Sequence, residues 1–279
     1  MPDEPLPSTA HAGVRLGPVT WVPEVRTRAN DPWAHRKGEP RPLALIWSLY
    51  LMASALVTLL RVRSLTMPTT EQFAFGCRSM LLMVMIGVAL LWPMIRLSQQ
   101  YPHRPDRSLF ADLLVLLVPV QAVVWPMGLL THWPLDIVLA LAGATASWAI
   151  LSAGVLACAF NAGSASARWG WMLVCVLIAI TSPTTLTLWP GNIPTITRGV
   201  MLHASPLTAP WALTSAPSGL APMMQPWEWA LVTIPAASGA ILWWLARRFA
   251  PAPEAGYSVS GPGPKDEAGR GIFRGRWLF

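Results

Sequence analysis

The residues that could carry out chemistry in this chain are few and lie far apart. Three carboxylates, Asp112, Asp136 and Glu228, occur next to long apolar stretches, each within a few residues of a predicted helix N-terminus. A negative charge at that end of a helix is favoured by about 0.3–1 kcal/mol, so helix capping accounts for all three. A proton or cation relay needs an ionisable group deep within the apolar stretches, and the sequence places none there.

Histidine, cysteine and phosphate-binding patterns also give no active site. The five histidines are scattered, and none lies at the centre of an apolar stretch, where haem ligands would have to lie. The three cysteines lack CxxC spacing, and Cys158 and Cys175 fall inside apolar stretches, which is typical of buried small side chains. GxxxxGK[ST], HExxH and GxSxG motifs are absent from the sequence. We therefore predict no catalytic residue, no cofactor and no metal site. The one alternative is a lipid- or polyprenyl-modifying enzyme that uses Asp112 with Arg104 and Arg107.

Six apolar stretches without Lys, Arg, Asp or Glu dominate the sequence. The elements that they form must hold the polar residues in place. About 20 helical residues cross a hydrocarbon core of about 30 Å, and each stretch approaches or exceeds that length. Only 12% of the residues are charged, against about 25% in ordinary globular proteins. We predict an all-α polytopic membrane protein with six transmembrane helices. The stretches are Leu43–Leu60, Ser79–Ile95, Leu113–Thr131, Ile137–Phe160, Trp171–Trp189 and Trp229–Ala246.

The basic residues predict the orientation of these spans. Of the 20 Lys and Arg residues, 16 lie in the N-terminal tail, loop 96–112, loop 161–170 and the C-terminal tail, all on one side of a six-span protein. Basic residues stay in the cytoplasm, so we predict an inner-membrane protein with both termini cytoplasmic. The net charge of +7 then favours contact with anionic lipid headgroups over binding of nucleic acid. The predicted domains are a cytoplasmic tail over 1–42 with an interfacial segment Asp31–Arg41, a membrane domain over 43–249, and a disordered tail over 250–279.

Two spans have unusual interiors. Span four is rich in Ala, Gly and Ser, and small residues let helix backbones approach closely in lipid, so we predict a central packing helix. Prolines in spans two, three, five and six predict kinks. Span five carries a run of hydroxyl side chains that either bond to their own helix or line a passage. The candidate passage-lining residues are Thr181, Ser182, Thr184, Thr185 and Thr187.

The connection between spans five and six, residues 190–226, is the longest in the membrane domain. It is apolar but interrupted by Pro, Gly and Arg198, which argues against a seventh span. Irregular backbone at membrane depth has to be buried in protein. We therefore predict that residues 192–213 form short helical pieces on the outer side, re-entrant or lying on the surface.

This architecture resembles the permease subunit of type-2 ABC exporters over roughly residues 31–249. The Ser205-Pro206 pair within Leu202–Ala209 is similar to an (Asn/Ser)-Pro element often found before the last span of that family. The family's charged ERE-type stretch after span two is not recognisable, and Arg104–Asp112 occupies its place.

The resemblance implies an ATP-driven exporter energised by a separate cytoplasmic ATPase, with two permease chains paired as a homodimer or heterodimer. Spans two and five would be the moving parts. The predicted contact with the ATPase is the loop from span two to span three, where the charged residues are Arg96, Arg104, Asp106, Arg107 and Asp112. The alternative is a non-catalytic scaffold or anchor subunit of a larger membrane complex, which the same sequence features also suit.

Overall fold

The structure is a computed structural model that describes residues 41–61, 70–99, 105–162, 165–188, 194–215 and 222–249. These segments contain helices and short connections, with no strand among them. The predictions for the two tails, including all of the interfacial segment except Arg41, lie outside these residues. The helices are α1 (Arg41–Arg61), α2 (Thr70–Ile86), a π-helical turn (Gly87–Leu91), α3 (Trp92–Ser98), α4 (Pro105–Thr131), α5 (Leu135–Asn161), α6 (Ala165–Leu188), α7 (Thr195–His203), α8 (Ala209–Thr214) and α9 (Pro226–Arg248).

Six helices are long and apolar enough to span a membrane, which confirms the predicted fold class. They are α1, the continuous run from α2 through the π-helical turn to α3, α4, α5, α6 and α9. We call the end of this bundle where α1 begins and α9 ends the basic face, and the opposite end the far face. The short helices α7 and α8 lie between the fifth and sixth spans, as two pieces rather than a seventh span.

The helices extend further than the charge-free stretches predicted. The second span begins at Thr70 rather than Ser79, and the third begins at Pro105 rather than Leu113. Both extensions carry an acidic residue in the first helical turn, Glu71 in α2 and Asp106 in α4, and that position is favourable for a negative charge. The predicted loop 96–112 therefore reduces to a short connection that follows Ser98 and ends before Pro105.

The predicted packing role of the fourth span is confirmed. In its apolar segment 67% of the residues are buried, compared with 11% in the fifth span. Helix α5 packs most closely on α9, where Gly154 faces Gly239: a Cβ on Gly154 would lie 2.4 Å from the Gly239 carbonyl oxygen. Asn161 Nδ2 also donates to the Ala246 carbonyl at 2.7 Å. Small residues thus allow two backbones to touch where larger side chains would separate them.

The second span changes helical type shortly before Pro93. The Trp92 N–H donates to the Gly87 carbonyl, five residues earlier, which is the π-helical pattern. Gly87 is needed here because the stacked rings of Trp47 and Tyr50 lie where a side chain would be; a Cβ would come within 2.5 Å of Trp47. At the other predicted kink sites, Pro119, Pro126, Pro183 and Pro235, the helices continue through the proline.

Candidate functional site

The two short helices α7 and α8 pack back into the bundle from the far face. The Ser205 hydroxyl, fully buried between them, donates to the Ala179 carbonyl at 2.7 Å. Ala179 lies nine residues before Leu188, the end of α6, which is roughly 13 Å along the helix axis. Ser182 of the same helix donates to the Met201 carbonyl in α7. Serine hydroxyls therefore hold the broken segment well inside the far end of the bundle, as a re-entrant element would be held.

Arg78 fixes the end of α8 from the second span. Its Nε donates to Thr214 Oγ1 at 2.8 Å, and its Nη2 donates to the Thr214 carbonyl at 2.6 Å. The guanidinium also lies over the Trp211 ring, 5.6 Å from the centroid. A cation at a helix C-terminus meets the unpaired carbonyls and the negative end of the helix dipole, so the charge stabilises α8 directly.

A buried histidine joins α7 to the sixth span. His203 is 7% exposed, and its Nδ1 lies 2.8 Å from the Gly199 carbonyl, which requires Nδ1 to carry a proton. Its Nε2 lies 3.7 Å from Glu228 Oε1 and has no hydrogen-bond partner. The other Glu228 oxygen accepts from the Gln225 N–H at 2.7 Å and completes a capping box at the start of α9. The capping role predicted for Glu228 is confirmed, and the contact with His203 is an addition to it.

Of the other two acidic residues, Asp136 lies at a helix N-terminus as predicted, whereas the capping prediction is wrong for Asp112, which lies inside its helix. Asp136, in the first turn of α5, accepts from the Met224 N–H at 3.0 Å and so fixes the approach to α9. Asp112 is completely buried in α4, where both carboxylate oxygens accept from the Arg96 guanidinium. Trp92 Nε1 lies 3.4 Å from the same carboxylate. Because the helices extend past the predicted boundaries, this pair of loop charges becomes a buried ion pair inside the bundle.

This pairing changes the availability of the five predicted contact residues. Arg96 is 6% exposed, so neither it nor Asp112 presents its charge at the surface of the chain. Asp106 is half-exposed and contacts α9, accepting from Trp243 Nε1 at 3.0 Å and pairing with Arg247 at 3.2 Å. Arg107 is exposed. Arg104 lies outside the described residues, so of the five predicted contact residues the described structure exposes Arg107 and, in part, Asp106.

The hydroxyl run of the fifth span separates into two groups. Thr181, Thr184 and Thr187 are exposed and Thr185 is half-buried, and all four hydroxyls donate to carbonyls of their own helix. Ser182 is buried and reaches α7 instead. The threonines thus form a stripe on the outside of this chain, on its least buried span. A passage along them would require a second chain to cover that stripe.

Sequence reasoning missed Arg78 and His203 as members of a site. The predicted second span begins at Ser79 and so leaves Arg78 outside it, although Thr70 and Glu71, which start its helix, are a recognisable N-terminal signal. His203 gives no signal in the sequence, because its burial depends on how α7 folds back on α9. Across the described segments no three His, Cys, Asp or Glu side chains converge as metal ligands would.

Comparison with protein families, with characterised proteins and with solved structures gave no match to this chain.

Proposed function

We propose that this chain is the permease subunit of an ATP-driven exporter in the inner membrane, with the basic face and both termini in the cytoplasm. The observation that carries the proposal is the broken helical pair α7–α8, held by Ser182, Ser205 and Arg78 inside the far end of a six-span bundle. Type-2 ABC exporters, which the chain resembles, have re-entrant helices between spans five and six. The positive-inside rule supports the orientation.

The π-helical turn of the second span supports the proposed mechanism. Such turns are frequent at functional sites, and this one interrupts the helix that leads to the basic face. A separate ATPase would act on the connection between α3 and α4 and on the first turn of α4. Arg107 is exposed in that turn, and Arg104 immediately precedes the helix in the sequence. The buried pair of Arg96 and Asp112 joins the two helices next to that connection. A push on the connection would therefore move the second and third spans together.

In this proposal the transport pathway lies between two paired chains rather than inside one. The interior of the single chain is filled by apolar side chains, among them Leu81, Val84 and Leu116, which are completely buried. The fifth span, in contrast, presents its threonines outward. Two copies, or this chain and a related one, would pair through α6 and enclose the hydroxyl stripe between them.

The ATPase partner is tested by co-purification of the full chain from native membranes. We expect an ATPase with a phosphate-binding loop to co-purify with the wild-type chain. Reversal of the charges on Arg104 and Arg107 to Glu should reduce its recovery without changing the yield of the permease chain. Arg168→Glu is the matched control, because Arg168 lies near the start of α6 on the same face and the charge change per residue is identical. Absence of any ATPase from the wild-type sample would refute the exporter proposal.

Pairing through α6 is tested separately with single added cysteines. Thr184→Cys on the hydroxyl stripe should form a disulfide between two chains in membranes under mild oxidation. Val118→Cys is the control, because Val118 is 65% exposed on α4, away from the proposed interface. Equal cross-linking at both positions would contradict a passage between two chains paired through α6. So would the absence of cross-linking at Thr184→Cys in a preparation that retains the ATPase.

A scaffold or anchor subunit is the second candidate, and one observation favours it. In the described membrane domain the buried charges of Arg96 and Asp112 pair with each other, and the largest completely buried side chains are apolar, among them Trp92. A scaffold would co-purify with a stable set of membrane partners and no ATPase, so the co-purification experiment separates the two functions.

A further inference from the structure

A cavity of about 180 Å³ lies between the first three spans near the far face. An engineered cavity of about 150 Å³ in another protein holds a benzene molecule, so this volume is enough for part of a hydrocarbon chain. The cavity exists because small side chains from α1 and α2 meet opposite a proline of α4. The residues that define it are Ala55, Gly76, Cys77, Met80, Pro126 and Leu130.

Among the described side chains that line the cavity, the thiol of Cys77 is the one hydrogen-bonding group without a recorded partner. Thr58 also lines the cavity, but its hydroxyl donates to the carbonyls of Ser54 and Ala55 in its own helix. An apolar cavity of this kind does not hold water, because a buried water needs two to four polar partners. The chemistry of the walls therefore selects a hydrocarbon ligand.

The depth of the cavity corresponds to one leaflet of a bilayer. Met80 lies ten residues after Thr70, the start of the second span, which is roughly 15 Å from the far end of that helix. Leu130 lies one residue before the far end of α4. The walls thus extend over about 15 Å, half of the roughly 30 Å hydrocarbon core.

The cavity also communicates with the outside of the bundle. Leu130 belongs to its wall and is 47% exposed on the surface that faces lipid. The hydrogen bonds that join α1 to its neighbours lie further toward the basic face, from Trp47 Nε1 to the Leu116 carbonyl and from Tyr50 to the Met83 carbonyl. An acyl chain from the surrounding leaflet can therefore enter the cavity from the side without breaking these hydrogen bonds.

We propose that this cavity is a binding site for one acyl chain of a phospholipid in the leaflet at the far face. The bound acyl chain fills the space between the first three spans. It packs where the small residues Gly76 and Ala55 leave room. The site depends on the six-span fold alone and does not rest on the export function.

The test uses the full-length chain in nanodiscs of phosphatidylethanolamine and phosphatidylglycerol that contain a small fraction of a phospholipid with a photoreactive acyl chain. After illumination, mass spectrometry locates the labelled residues. We expect saturable labelling around Cys77, which is competed by the same lipid without the photoreactive group. Labelling around Val118, exposed on the outside of α4, should be weaker and should not saturate, because bulk lipid contacts it.

Two cavity-filling variants show whether the cavity itself binds the chain. Ala55→Phe and Gly76→Leu fill it from different helices, and in each the labelling around Cys77 should fall to the bulk level seen around Val118. Val118→Phe places the same phenyl ring as Ala55→Phe outside the cavity and should leave the labelling around Cys77 unchanged. Persistence of full labelling in both folded filled variants would overturn the proposal. Non-saturable labelling around Cys77 in the wild type would overturn it as well.

Discussion

The buried pair of Arg96 and Asp112 makes the sharpest prediction about stability. Its side chains are 7% and 0% exposed, and the only other described donor near the carboxylate is Trp92 Nε1, at 3.4 Å. Arg96→Met leaves a buried carboxylate without its cation, and Asp112→Leu leaves a buried guanidinium without its anion. Breaking a buried pair in this way costs about 3–5 kcal/mol, so each single variant should lose that much stability.

The double variant Arg96→Met/Asp112→Leu removes both charges and should be more stable than either single variant. Replacing a buried ion pair by apolar side chains of similar volume is often neutral, because neither charge then has to be desolvated. The matched control is Arg247→Met, which breaks the pair with Asp106. Those side chains are 68% and 46% exposed, so the loss should stay below about 1 kcal/mol.

Thermal unfolding in detergent, followed by the fluorescence of the 16 tryptophans, measures all four variants. A loss of 3–5 kcal/mol corresponds to a fall in Tm of roughly 6–20 °C, whereas the control should shift by no more than roughly 4 °C. If a single variant does not fold, a double variant that does fold shows equally that the unpaired buried charge causes the loss of stability. The reasoning is refuted if Arg96→Met behaves like Arg247→Met, or if the losses of the two single variants add in the double variant.

Three further stability changes should be visible in the same assay. Gly154→Ala drives a methyl group into the backbone of α9 and should cost about 2–3 kcal/mol, whereas Gly170→Ala, with nothing within 4 Å, should cost nothing; equal effects would argue against the close contact of α5 and α9. Glu228→Gln keeps the cap and offers an N–H to the unpaired Nε2 of His203, so it should be more stable than Glu228→Ala, and equal losses in the two variants would contradict this role. His132, after α4, has a positive φ of 56°, so His132→Gly should gain about 1 kcal/mol, and a lower Tm would show that the ring contributes more than the backbone strain costs.

The sequence predicted the spans well because a membrane crossing depends on a bulk property, the absence of charge over a known length. It predicted helix ends less well, because Thr70 and Pro105 start helices with polar residues that a search for apolar runs excludes. The short helices between spans five and six followed from proline and glycine positions. Their depth did not, because it depends on which carbonyls Ser182 and Ser205 reach in the folded chain.

Pairing between distant residues was beyond reach of a single sequence. The small residues of α5 predicted close packing, but nothing in them specifies that Gly154 meets Gly239 rather than another glycine. Arg96 and Asp112 were predicted to be contact residues of the loop between spans two and three, because they flank apolar stretches on the linear chain. Only the extra helical turns on either side bring the two side chains together inside the bundle.

The π-helical turn at Gly87–Leu91 has a consequence for the helical phase of the second span, that is, for the directions in which its side chains point. A π-helical turn accommodates one residue more than the α-helix around it, and each α-helical residue rotates the helix by about 100°. Deletion of a single residue between Gly87 and Leu91 would convert the turn to α-helix and preserve a span of nearly the same length. The four remaining residues would then make about the same rotation around the helix axis as the five do now, so Trp92 and Arg96 would keep their direction toward Asp112. The wide turn therefore absorbs one extra residue while the phase between the two ends of the span is kept. A one-residue deletion within the turn should be far less damaging than one in the α-helix on either side, which would rotate the two ends relative to each other by about 100°.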